Sequence, residues 1–131
     1  MMAEILPTLR PARRVLVIDD EEALCVLLAR MLGKWGYKVI TSNLAKSAHL
    51  EEMTESDIIF IDMKMPEMDG LQVIDFLISH QIKSSIILMS GQAIEDMTTA
   101  EDVVKHADLR LIGVLDKPFR ERDVLAIMEA D

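Results

Sequence analysis

The sequence is poor in cysteine and in basic residues, and each shortage excludes a class of function. A single cysteine, Cys25, cannot form an internal disulfide, which fits a reducing cytoplasm. There are 14 Lys and Arg against 23 Asp and Glu, so the net charge is −9. This charge repels the phosphate backbone of nucleic acids and an anionic membrane surface, so we expect neither as a direct partner.

Long apolar runs are also missing. No stretch approaches the roughly 18 apolar residues of a membrane-spanning helix. Residues 1–14 place their arginines after the few apolar residues and lack the hydrophobic core of a signal peptide. The 131 residues are enough for one domain with its own core. We therefore expect a cytoplasmic protein with a loose arm over residues 1–13 and one domain over residues 14–131.

Short apolar runs predict the strands of a parallel sheet. Because four of them do not alternate with polar residues, each is typical of a strand buried on both faces. A weaker fifth run has the composition of an edge strand. These are residues 15–18, 58–61, 86–89 and 111–115, and for the edge strand residues 37–41.

Helical patterns separate these strands and complete the fold prediction. The clearest is one apolar stripe from Leu24 through Leu27 to Trp35, with Gly36 as its stop. The other helical segments are 43–53, 71–78, 94–106 and 124–128. A strand followed by a helix, five times over, predicts a doubly wound α/β fold with a five-stranded parallel sheet and helices on both faces.

Polar residues come directly after four of the predicted strands. Carboxyl ends of parallel strands share one edge of a sheet, where sites gather. Two carboxylates about 4 Å apart repel by roughly 4 kcal/mol at an effective dielectric of about 20, so clustered acids need a proton or a cation such as Mg²⁺. The residues are Asp19 and Asp20, Asp62, Ser90 and Gly91, and Asp116, Lys117 and Pro118.

Each of these residues also has a plain structural interpretation when taken alone. Asp19 and Glu22 could form a capping box for the first helix. Asp69 and Gly70 are typical of a turn and a helix start, and a lone lysine such as Lys117 is usually solvated. The recurrence of polar residues after separate buried strands favours a shared site over independent structural uses.

Four blocks of sequence together resemble the receiver domain of two-component response regulators. The resemblance covers about residues 14–130 and implies a flavodoxin-like fold with strand order 2-1-3-4-5. The blocks are Val-Leu-Val-Ile-Asp19-Asp20-Glu21, Ile-Asp62-Met-Lys-Met-Pro66-Glu-Met-Asp69-Gly70, Met-Ser90-Gly91 and Leu-Asp-Lys117-Pro118-Phe119.

The resemblance implies a role for each matched position. Asp62 would accept a phosphoryl group from a histidine kinase or a phosphotransfer protein, which makes the chain a signalling phosphoacceptor and not an enzyme. Mg²⁺ would be held by Asp19, Asp20, Asp62 and the backbone carbonyl of Lys64. Ser90 and Lys117 would bind phosphoryl oxygens, supported by Gly91 and by Pro118 after a cis peptide bond.

Three departures from the family pattern bear on the output. Val114 stands where the family usually has an aromatic switch residue. Lys64 and Gln92 occupy the two positions that tune dephosphorylation in the family. The stretch from Ser90 to Lys117 is longer than is usual in the family. Its ending, residues 109–119, is similar to receivers joined to EAL-type cyclic-di-GMP phosphodiesterase domains, which implies an output domain of that type beyond residue 131.

Three alternatives stay open on the sequence. A haloacid-dehalogenase-like aspartyl phosphatase also uses Mg²⁺, but it needs an acid two residues after its nucleophile, where this chain has Lys64. A flavodoxin-like mononucleotide binder needs a phosphate loop after the first strand, where this chain has acids. A receiver-like docking domain that takes no phosphoryl group is the third.

Overall fold

The computed structural model describes residues 13–42, 50–65, 69–91 and 94–131. Most of the predicted arm, most of the predicted helix over residues 43–53, and Pro66 and Gln92 lie outside these residues. Within the described part of the chain, no helix combines the length and the apolarity needed to cross a membrane.

Five parallel strands form one sheet in the order β2-β1-β3-β4-β5. This confirms the predicted fold and strand order, with β2 at one edge as its composition suggested. Asp62, Ser90 and Asp116 are the last residues of their strands and do not follow them. The strands are β1 (Arg14–Ile18), β2 (Lys38–Ser42), β3 (Ile58–Asp62), β4 (Ser85–Ser90) and β5 (Leu111–Asp116).

Helices cover both faces of the sheet, as predicted, because successive strand residues point to opposite faces. Phe60 packs with buried residues of α1 and α4, whereas its neighbours Ile59 and Ile61 pack with residues of α2 and α3. The core is therefore two apolar layers with the sheet between them. The described helices are α1 (Glu22–Lys34), α2 (Gly70–Ser79), α3 (Ile94–His106) and α4 (Glu121–Glu129).

Helix α1 ends as predicted, but its buried face differs from the predicted stripe. Gly36 has φ of 98°, and the Tyr37 N–H bonds to the Leu32 carbonyl at 3.0 Å, as in a Schellman motif. Leu27 is 43 % exposed, whereas Cys25 is buried against the sheet. The prediction for Leu27 was wrong because two adjacent apolar rows run along α1, and packing against the sheet selects the row that contains Cys25.

Ion pairs and hydrogen bonds of two arginines join separate segments at the amino-terminal edge of the sheet. Arg14 pairs with the buried carboxylate of Asp57 at 2.7 Å. Burial raises the pKa of Asp57, but the hydrogen bonds from Arg14 and Thr54 outweigh it, so this pKa lies below its usual value. Arg13 donates to the Ser85 hydroxyl at 2.9 Å and pairs with Asp131. Arg13, assigned to the loose arm from the sequence, is thus held in place.

The start of α2 is set by two residues that follow the loop after β3. Asp69 caps the helix, and its carboxylate accepts the Gln72 N–H at 2.9 Å, which agrees with the predicted turn and helix start. Gly70 donates its N–H to the Met63 carbonyl at 3.2 Å. A Cβ at Gly70 would lie 2.9 Å from the Cα of Met63, so only glycine fits this approach.

Replacing Gly70 by alanine is expected to lower the free energy of unfolding by about 1–3 kcal/mol, because the new methyl group overpacks against the backbone of Met63. Gly33→Ala is the matched control. A Cβ at Gly33, inside α1, meets no atom within 4 Å. Gly33→Ala should therefore raise the free energy of unfolding by about 0.5–1 kcal/mol, because alanine is the better helix former. Urea unfolding measures both changes. A Gly70→Ala variant as stable as the wild type would contradict the close approach.

Candidate functional site

The carboxyl ends of β1, β3, β4 and β5 meet around a cleft of about 490 Å³. The parallel registers bring them together, since Asp62 pairs with Met89 and the next residue, Ser90, pairs with Asp116. Most of the residues selected from the sequence line this cleft. Its lining consists of Asp20, Glu21, Asp62, Lys64, Ser90, Gly91 and Lys117.

The ammonium group of Lys117 lies among three carboxylates. Its Nζ donates to Asp19 Oδ2 at 2.8 Å and lies 3.3 Å from oxygens of both Asp62 and Glu21. Its backbone N–H donates to the Ser90 carbonyl at 2.8 Å, which anchors the start of the β5–α4 loop to β4. Burial lowers the pKa of Lys117, but the hydrogen bond and charge of Asp19 outweigh burial and raise it. Lys117 is therefore a fixed cation and not a solvated lysine.

Asp62 is nearly buried at the end of β3. Burial, together with the negative charge of Asp19, raises the pKa of Asp62 to about 6, although Lys117 and the Lys64 N–H act in the opposite direction. A carboxylate with this pKa is mostly ionised at neutral pH and can attack an electrophile. The surrounding charges thus keep an ionisable carboxylate in a partly desolvated environment, which is the condition that a nucleophilic role requires.

Asp19, Asp20 and Asp62 form an acidic cluster that could hold a metal ion. One carboxylate oxygen from each lies within 4.8 Å of the others. Asp19 is buried and also accepts the Glu21 N–H at 2.8 Å, so this contact replaces the capping box considered with Glu22. Asp20 is exposed at the mouth of the cleft. Hard carboxylate oxygens open to water on one side fit the ligand preference of Mg²⁺.

The supporting residues also lie at this edge. Lys64 lines the cleft and donates its N–H to Asp62 Oδ1 at 3.4 Å, while the use of its carbonyl as a ligand stays a prediction. Ser90 is buried and Gly91 exposed. The Lys117–Pro118 bond is cis, as the resemblance implies.

Val114 is half-buried in β5 and packs at the margin of the core beneath α3. Its function in place of the usual aromatic residue stays a prediction.

Two further residues belong to the surroundings of the site. Glu21 contacts Lys117, and from the sequence it stood out only as part of an acidic run. Cys25 lies beneath Asp19, its Sγ 3.4 Å from the Asp19 carbonyl oxygen. Cys25 is buried, and burial together with the charge of Asp19 raises the pKa of its thiol to about 11, so the thiolate is disfavoured at neutral pH.

Fold and site together define a class of protein: a doubly wound α/β domain with three clustered aspartates and a lysine at the carboxyl edge of its sheet. The family model of the response regulator receiver domain matches residues 15–129. The chain belongs to this family. The match favours the receiver interpretation over the phosphatase and mononucleotide-binding alternatives.

Named relatives agree with this assignment. The chain is 31 % identical over 119 residues to the alkaline phosphatase synthesis transcriptional regulatory protein PhoP of Bacillus subtilis, covering 90 % of the chain and 48 % of PhoP. It is 29 % identical to the cell cycle response regulator CtrA of Brucella ovis, covering 89 % of the chain and 49 % of CtrA. It thus spans about half the length of these relatives.

A solved structure shows the same fold. The crystal structure of a response regulator from Colwellia psychrerythraea superposes with a TM-score of 0.78 at 29 % identity, covering 88 % of this chain and 93 % of that chain. These relatives lend no support to the EAL-type resemblance of residues 109–119.

Stability should depend on pH through Asp62. Its folded pKa, about 6, lies above the ordinary value of 3.8, so its contribution to stability is largest at low pH and is lost as pH rises through about 6. Asp62→Asn removes a buried negative charge that destabilises the folded state at neutral pH. We expect it to raise the free energy of unfolding by about 2 kcal/mol at pH 7.5 and by about half as much at pH 5.

Urea unfolding in EDTA measures this difference. Asp116→Asn is the matched control, because Asp116 also ends a strand but is exposed and outside the cleft lining. An Asp62→Asn gain that is equal at the two pH values would contradict the raised pKa.

Proposed function

We propose that this receiver domain, over residues 14–131, accepts a phosphoryl group on Asp62 from a histidine kinase or a phosphotransfer protein. The observation that carries the proposal is the position of Asp62. Its carboxylate faces the cleft 3.3 Å from the ammonium of Lys117 and within reach of Asp19 and Asp20. We propose a cytoplasmic signalling role, in which the phosphorylated domain controls an output domain or partner, rather than an enzymatic one.

The residues of the cleft would have different roles in phosphoryl transfer. A carboxylate oxygen of Asp62 forms the new bond to phosphorus while the bond to the donor nitrogen or oxygen breaks and the donor leaves with its electron pair. Lys117 would pair with a phosphoryl oxygen, and Ser90, which lines the same cleft, would bind another. Mg²⁺, held by Asp19, Asp20, Asp62 and the Lys64 carbonyl, would supply further neutralisation of the phosphoryl charge.

Phosphorylation would change the contacts of Lys117. The modification adds about 1.5 to 2 negative charges and three acceptor oxygens, which compete with Asp19 and Glu21 for the ammonium. Since the Lys117 N–H is bonded to the Ser90 carbonyl, a shift of Lys117 is coupled to the loop that leads into α3. Val114 is a stiff, small side chain, so we place the main response in this loop and in α3, and a lesser one in β5.

Incubation with acetyl phosphate and Mg²⁺ is expected to add the mass of one phosphoryl group to the chain, because the buried carboxylate of Asp62 lines the cleft 3.3 Å from the ammonium of Lys117. Intact-mass spectrometry measures the product. Asp62→Asn should abolish labelling, and beryllofluoride, which mimics an acyl phosphate, should bind the wild type alone.

Asp116→Asn is again the control, since it removes a strand-end aspartate that does not line the cleft. It should be labelled like the wild type. Undiminished labelling of Asp62→Asn would show that another residue is the acceptor.

Adding Mg²⁺ is expected to stabilise the folded domain, because the three carboxylates of the cluster come together only when the chain is folded. At a Mg²⁺ concentration about five times its Kd, the free energy of unfolding should rise by about 1 kcal/mol. Thermal unfolding with and without EDTA measures the effect.

Asp20→Asn should remove most of this effect, whereas Glu22→Gln, an equal loss of charge from an exposed acid outside the cluster, should retain it. A melting temperature that does not respond to millimolar Mg²⁺ would contradict the metal site.

A further inference from the structure

Glu21 is the outermost of the three carboxylates that surround Lys117. Its Oε1 lies 3.3 Å from the Lys117 Nζ, and its side chain is 63 % exposed. The other two carboxylates, those of Asp19 and Asp62, are buried. A phosphoryl donor that enters the cleft therefore meets the charge of Glu21 before it reaches the ammonium.

The backbone of Glu21 is fixed from both sides. Its N–H donates to Asp19 Oδ1 at 2.8 Å, and its carbonyl accepts the N–H groups of Leu24 and Cys25, each at 3.1 Å. This arrangement fixes the base of the Glu21 side chain at the rim of the cleft. An exposed ion pair such as Glu21–Lys117 contributes little to stability, so the fold does not depend on it.

We infer that Glu21 is a specificity-determining residue that selects against highly charged small phosphoryl donors, an inference that rests on the proposed function of Asp62. The carboxylate of Glu21 partly neutralises Lys117, the cation that a phosphoryl group must approach. It also repels the donor directly. Because this repulsion is proportional to the charge of the donor, a dianion is disfavoured more than a monoanion.

Two small phosphoryl donors differ in net charge. Near neutral pH, acetyl phosphate is a dianion, whereas phosphoramidate, protonated on nitrogen, is a monoanion. With either donor, an Asp62 oxygen forms a bond to phosphorus. The phosphorus–oxygen bond of acetyl phosphate breaks to release acetate, and the phosphorus–nitrogen bond of phosphoramidate breaks to release ammonia. Both reactions leave the same acyl phosphate.

A unit charge about 6 Å away in water-like surroundings changes the donor's binding by about threefold per donor charge. Glu21→Gln should therefore speed labelling by phosphoramidate about threefold and by acetyl phosphate about tenfold. The ratio of the two rates then rises about threefold. Because the contact is exposed, raising the salt concentration toward about 1 M should reduce this change in ratio.

The test measures initial rates of Asp62 labelling by intact mass, with both donors at saturating Mg²⁺, for the wild type and three variants. Glu21→Gln should raise the rate ratio, and Glu21→Asp, which keeps the charge, should leave it near the wild-type value. Glu22→Gln removes an equal charge from an exposed neighbour that does not line the cleft, and it should also leave the ratio unchanged.

Each other outcome overturns the inference. Equal acceleration of both donors by Glu21→Gln would show that Glu21 only restrains Lys117. Slower labelling together with weaker Mg²⁺ binding would make Glu21 a metal ligand. If the wild type is labelled but Glu21→Gln leaves both rates unchanged, this inference fails alone. If neither donor labels the wild type, the proposed function of Asp62 fails with it.

Discussion

The ammonium of Lys117 is the charge on which the carboxyl edge of the sheet depends. Asp19 and Asp62 are buried carboxylates, and repulsion between two such groups about 4 Å apart is roughly 4 kcal/mol at an effective dielectric of about 20. Lys117 lies within 3.3 Å of an oxygen of each. Without this cation, one of the acids would have to take up a proton, and Asp62 would be a poorer nucleophile at neutral pH.

The sheet order explains why a lysine can fill this position. Two strands, β3 and β4, lie between β5 and β1, so the side chain must reach from the end of β5 across the sheet edge to Asp19. A hydrogen bond from its backbone to Ser90 holds the base of the side chain. The long lysine stem spans the remaining distance. The same geometry couples Lys117 to Ser90, so a new anion on Asp62 would affect both.

The two edges of the sheet differ in how their acidic side chains are paired with cations. At the amino-terminal edge, Arg14 forms an ion pair with Asp57, and Asp131 forms ion pairs with both Arg13 and Arg110. These acids have cationic partners and serve to join segments that are distant in the chain. At the carboxyl edge, acids outnumber the cations that contact them. This excess of acid favours the binding of a metal ion, whereas the acids of the opposite edge are neutralised by their arginine partners.

The strands, their parallel arrangement and the polar residues at their ends follow from the sequence alone, because buried apolar runs, helix periodicity and the alternation of strands with helices can be read along the chain. The four sequence motifs then predict that Asp62, Ser90 and Lys117 lie at the carboxyl edge of the sheet. The packing of the elements settles two points that the sequence leaves open. Glu21 shares the ammonium of Lys117 with Asp19, which is 98 positions from Lys117 in the chain, and Leu27 faces outward while Cys25 faces the sheet. Such choices depend on how helices rotate and how side chains meet across strands. No local pattern encodes them, since neighbouring acids and neighbouring apolar rows are equivalent until the elements pack.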